Sequence, residues 1–87
     1  MTAHVVFDAL APDVPATLAR AVVTDVLRGA LRFDGVCFSD DLHMKAVAEK
    51  HAVEQSAVLA LEAGCDALLI CADPASQDRA RAAIEAR

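Results

Sequence analysis

The chain has 87 residues, is 56% hydrophobic and 3% aromatic, contains no Trp or Tyr, and carries a formal charge of −5. That length holds one small domain with a modest buried fraction, and the apolar content excludes a disordered chain. Eight scattered basic residues without a basic stripe argue against nucleic acid, and no apolar run is long enough for a membrane span nor any leader visible, so neither partner is expected.

In chain order, "AHVVF" (residues 3–7) is a β-branched run and predicts a short strand. "DALAPDVPAT" (8–17) is a loop broken by Pro12 and Pro15. From Leu18 to about Leu31 the spacing is helical: Leu18, Val22, Val26 and Ala30 lie four apart, with Val23, Leu27 and Leu31 beside them. Asp34-Gly35 makes a turn before a strand over 36–39, and two acids, Asp40 and Asp41, stand at its exit. "LHMKAVAEKHA" reads as a short helix or ordered loop, with His43 and His51 solvated and Met44 packed in the core. Helical spacing resumes at Val53 and stops at Gly64. A third strand over 67–71 runs out to Asp73-Pro74, and Ser76 is placed to cap a last helix with Ala80, Ala83 and Ile84 on its apolar side. The three cysteines form no CxxC. Cys37 and Cys71 lie in apolar runs, as small buried residues of a reduced cytoplasmic protein would.

Near-continuous apolar strands separated by helices predict an α/β fold of parallel βα units, with about three strands and three to four helices. Such sheets gather functional groups at the carboxyl ends of their strands. His4, Asp40 and Asp73 fall near those ends. Spacing alone equally allows the acid pair to be loop acids at a helix N-terminus. On an extended strand neighbours face opposite sides, so only one of the two could face a ligand. One His and two carboxylates suit a divalent ion, but no further ligand stands at characteristic spacing, so neither a metal nor another cofactor is expected.

The run "DGVCFSDDLHM", preceded by "MTAH" and followed by "AVLALEAGCDALLICAD", resembles the C-terminal part of the catalytic barrel of bacterial family 3 glycoside hydrolases. The likeness spans nearly the whole chain and is closest to the cytoplasmic β-N-acetylglucosaminidases of cell-wall recycling. It implies that residues 1–87 are a partial (β/α)₈ barrel, roughly its sixth to eighth units. It implies a carbohydrate substrate: terminal β-linked N-acetylglucosamine on muropeptide-type sugars. The first Asp of the family's S-D-D-L motif is the nucleophile, a role that carries over to Asp40. Asp41 is then structural support for the loop, and His4 a substrate-binding candidate at the same mouth. The family's proton donor is a His–Asp pair in a KHxxGHG-type motif, and no such motif occurs here. The chain alone is therefore expected to be inactive. Three units cannot close an eight-unit barrel, so the open barrel face is expected to drive self-association. The alternative is a non-catalytic α/β piece acting only through such contacts.

Overall fold

The second and third predicted strands fold as a parallel pair. In the computed structural model, which describes residues 1–86, β1 spans Phe38–Asp41 and β2 spans Ala67–Leu69. Helices α1 (Lys45–Ala48) and α2 (Val53–Ala63) connect them, and α3 (Pro74–Glu85) follows and packs on α2. Parallel strands require a crossover of this kind, because a tight turn cannot return the chain to the same end. The architecture is the expected α/β arrangement of βα units. Among the described residues no helix is long and apolar enough to cross a membrane.

The Ala-rich composition has a structural use in α2. Ala57, Ala60 and Ala63 are all buried, and their small side chains let neighbouring elements lie close against the helix. Two groups of core residues result. One joins Leu18, Val23, Cys37, Val47, Ala60, Ala63 and Cys65. The other joins Leu42, Val53, Ala57 and Ala80, and Leu68 of β2 packs against both. Gly64 ends α2 with φ 125°, a conformation that side-chain-bearing residues rarely adopt.

Before β1, a 3₁₀ turn over Ala16–Leu18 leads to a helix over Ala21–Ala30. One continuous helix from Leu18 was expected. Leu18 instead closes the turn, and Ala19 is extended, which delays the helix start. The helix is wound more widely than an α-helix, and past its end the Leu31 N–H still reaches the Val26 carbonyl five residues back, at 2.8 Å.

The expected strand over 3–7 does not form. Val6 makes one antiparallel bridge with Pro15, and the Val5 carbonyl accepts the Ala16 N–H at 2.8 Å. The β-branched run satisfies its backbone on the proline loop that doubles back beside it. Thr2 reaches β1 with its backbone, donating its N–H to the Phe38 carbonyl at 2.8 Å.

Two further expectations are corrected. Asp73, not Ser76, caps α3: its Oδ1 accepts the Ser76 N–H at 2.6 Å, and Pro74 occupies the first turn, where a missing N–H costs nothing. Cys71 is exposed, because β2 ends at Leu69, whereas Cys37 and Cys65 are buried. Burial, reinforced by the neighbouring Cys37, pushes the Cys65 thiol up to about 12. One apolar face stays uncovered, with Val36 62% and Phe38 45% exposed.

Candidate active site

The strand pairing is irregular where β1 surfaces. Phe38 pairs with Ala67 and Asp41 with Leu69, so three steps on β1 face two on β2. The extra residue makes a bulge at the carboxyl end of the strand. Here side-chain oxygens take the place of backbone acceptors. The Leu69 N–H donates to Oγ of the fully buried Ser39 at 3.1 Å. The Cys71 N–H donates to Asp41 Oδ1 at 3.2 Å, and the Leu42 N–H takes the Leu69 carbonyl at 2.9 Å.

The two acids therefore have different surroundings. Asp41 Oδ1 also accepts the His43 N–H at 3.0 Å, so its carboxylate joins the loop after β1 to the exit of β2. Asp40 is half-buried, and its Oδ1 accepts the Asp41 N–H at 2.8 Å. That bond orients the Asp40 carboxylate on its own backbone. Among the described residues no ion pair neutralises it.

His4 meets the same corner from the N-terminal segment. Its Nε2–H donates to the Asp41 carbonyl at 2.8 Å, and its Nδ1 lies 2.9 Å from Thr17 Oγ1. Thr17 is fully buried; its hydroxyl stands 2.7 Å from Thr2 Oγ1 and donates to the Ala3 carbonyl at 3.1 Å. Three separate stretches of chain thus converge on Asp41. Asp73 does not join them. It is occupied at the start of α3, where the Ser76 hydrogen bonds hold its carboxyl below the usual carboxylate range.

The solvated reading is corrected for His43. His43 Nε2 is buried and has no hydrogen-bond partner among the described residues, and the Asp41 carboxylate accepts the His43 amide N–H. His51 is half-buried, with Nδ1 3.0 Å from Gln55 Oε1. Met44, expected in the core, is exposed at the position that precedes α1. Among the described residues no three His, Cys, Asp or Glu side chains converge as metal ligands would.

Sequence reasoning missed Ser39, Thr17 and Asp66. Asp66 holds the entry of β1, at the end opposite Asp40. Its Oδ2 accepts the Cys37 N–H at 2.9 Å and the Arg28 guanidinium. These bonds, the Cys37 amide foremost, hold the Asp66 carboxyl below the usual range. Arg28 also donates to the Gly35 and Gly64 carbonyls, both at 3.1 Å. An Asp directly before a strand was the available signal, but its partners lie far away in the chain.

Comparison with known proteins agrees with the geometry. The family model described as "Glycosyl hydrolase family 3 N terminal domain" matches residues 1–86. A β-hexosaminidase of Alkalilimnicola ehrlichii is 47% identical over 74 residues, 85% of this chain and 21% of that protein. A β-hexosaminidase of Pseudomonas aeruginosa is 46% identical over 88 residues, 98% of this chain and 25% of that protein. The solved structure of a glycoside hydrolase family 3 β-N-acetylglucosaminidase from Paenibacillus sp. superposes with a TM-score of 0.95 at 42% identity, covering 99% of this chain and 16% of that one. The β-N-acetylhexosaminidase of Beutenbergia cavernae gives 0.91 at 40% identity, covering 99% of this chain and 25% of that one. The chain spans a quarter or less of the length of each of these relatives. With the match running from residue 1 to residue 86 and the βα units superposing throughout, the chain belongs to glycosyl hydrolase family 3, as part of its N-terminal domain.

Proposed function

We propose that these residues supply the nucleophile strand of a retaining β-N-acetylglucosaminidase, with Asp40 as the attacking carboxylate. The substrate class is terminal β-linked N-acetylglucosamine on muropeptide-type sugars, handled in the cytoplasm. The observation that carries this reading is the division between the two acids. Asp41 is taken up by two backbone amides, whereas among the described residues Asp40 accepts the amide of its immediate neighbour alone. A nucleophile must be oriented without being neutralised, and Asp40 meets both conditions.

In this reading Asp40 attacks the anomeric carbon and displaces the leaving oxygen, which takes a proton from a donor on the other side of the bond. A glycosyl ester forms on Asp40, and water activated by the same donor, now a base, releases the sugar. In the two-carboxylate form of this reaction the groups stand ~5–5.5 Å apart. Asp41 acts as a strut for the loop. The proton donor comes from outside these residues, so the chain alone does not turn over.

The test grafts this chain in place of the matching quarter of the Pseudomonas aeruginosa β-hexosaminidase, which supplies the rest of the barrel. A fluorosugar trap is expected to esterify Asp40, and Asp40→Asn is expected to lower kcat by about 10⁴-fold. An ester on Asp41 would overturn the assignment. The ungrafted chain is expected to leave a chromogenic N-acetylglucosaminide intact. Turnover that Asp40→Ala abolished would instead require a proton donor within these residues.

A further inference from the structure

We infer that His4 is a positioning residue for the nucleophile: through Nε2 it holds the Asp41 carbonyl and so fixes the backbone that orients Asp40. The inference rests on the reading of Asp40 as nucleophile and assigns His4 a role distinct from sugar contact, because both ring nitrogens are already engaged.

The peptide at the strand exit creates the need. In a trans peptide the N–H and C=O point to opposite sides, so with the Leu42 N–H turned to the Leu69 carbonyl of β2, the Asp41 carbonyl faces away from β2 in a half-buried position. The Cys71 N–H of β2 is taken by the Asp41 side chain. His4 Nε2, from the N-terminal segment, donates to the Asp41 carbonyl at 2.8 Å. A carbonyl oxygen only accepts, so the ring carries a proton on Nε2. The peptide between Asp41 and Leu42 is then held at both atoms, its C=O by His4 and its N–H by the Leu69 carbonyl. The preceding amide, that of Asp41, donates to Asp40 Oδ1 at 2.8 Å. Turning the Asp41 backbone would therefore turn the bond that sets the Asp40 carboxylate.

The ring itself is fixed from its far side. Nδ1 faces the buried Thr17 hydroxyl, which is tied to Thr2 and Ala3. Thr2 in turn bonds the Phe38 carbonyl at the start of β1. The support begins and ends on the strand it steadies. A displacement of ~1 Å at a reacting group can cost ~10²-fold in rate, so a clamp of this kind has a measurable kinetic effect.

The grafted enzyme separates this role from a purely structural one. His4→Gln puts an amide nitrogen near the position of Nε2, His4→Asn puts its polar group near Nδ1, and His4→Phe keeps only the ring. We expect His4→Phe and His4→Asn to lower kcat by about 10²-fold with KM little changed, and His4→Gln to restore most of the loss. Unchanged kcat in all three variants, a loss confined to KM, or rescue by Asn but not Gln would overturn the inference. Nitrogen-15 NMR of the imidazole gives a readout independent of turnover: a proton on Nε2 is expected, and a ring protonated on Nδ1 alone would also overturn it. The fluorosugar label decides separately whether Asp40 is the nucleophile, so failure of that reading is distinguishable from failure of the clamp.

Discussion

At the scale of single residues, Asp66 shows how much a surface carboxylate can matter through geometry. Its bonds to the Cys37 amide and to Arg28 depress its folded pKa below 3.8, and Ser76 does the same for Asp73. The unfolded chain then binds more protons than the folded one as pH falls through this range. The contribution of each group is complete above its unfolded value and is lost as pH falls through the folded value. Acid titration of the grafted enzyme, followed by circular dichroism, is expected to show stability falling below about pH 4, with a shallower slope in Asp66→Asn. An identical slope in that variant would remove Asp66 from the account. The sequence made two acids at a strand exit legible. It did not reveal that Asp41 would replace a backbone carbonyl, because a bulge is decided by pairing with a strand that lies beyond two intervening helices. Thr17 was hidden for the same reason: it stands in a proline-broken loop, and its partners are Thr2, Ala3 and His4.

At the scale of elements, helical period and punctuation were readable. The apolar spacing from Val53 and the stop at Gly64 describe α2 as it is found. The Gly64 position explains why the stop is firm. Beyond its positive φ, a Cβ there would come within 2.8 Å of Thr24 Oγ1 and 3.0 Å of Val23 Cγ1. Thr24 Oγ1 donates to the Ala63 carbonyl at 2.6 Å, a bond that a methyl group would disturb. Gly64→Ala is therefore expected to cost about 1–3 kcal/mol in denaturant unfolding of the grafted enzyme. Gly29→Ala, whose new Cβ would meet only the Thr24 carbonyl oxygen at 3.4 Å, serves as the control and should be near neutral. Equal losses in the two variants would contradict this. The segment over 3–7 misled because β propensity describes a fit to a pleated neighbour, and the proline loop bridged to it first, at Val6 and through the Val5 carbonyl.

At the scale of the molecule, the parallel α/β class followed from the order of apolar runs, whereas the strand count depended on which edges find partners. Val36, Phe38, Leu31 and Phe33 remain exposed, and Leu31, Phe33 and Val36 line one apolar groove. Covering a side chain of this size is worth roughly 1.5–3 kcal/mol. Several left uncovered are comparable to the whole stability of a small domain, about 5–15 kcal/mol. The free chain is expected to bind an apolar dye and to sediment as concentration-dependent associated species, and both properties should vanish in the graft. A sharp monomeric melt without dye binding would show that the face needs no cover. The bulge bears on this from the other direction. Because its surplus position lies at the rim, and the side chains that bridge to β2 there belong to Ser39 and Asp41, what stands at position 40 is decoupled from assembly of the sheet. Reactivity and architecture can be altered separately at this corner: a barrel that had lost its acid there would keep its shape.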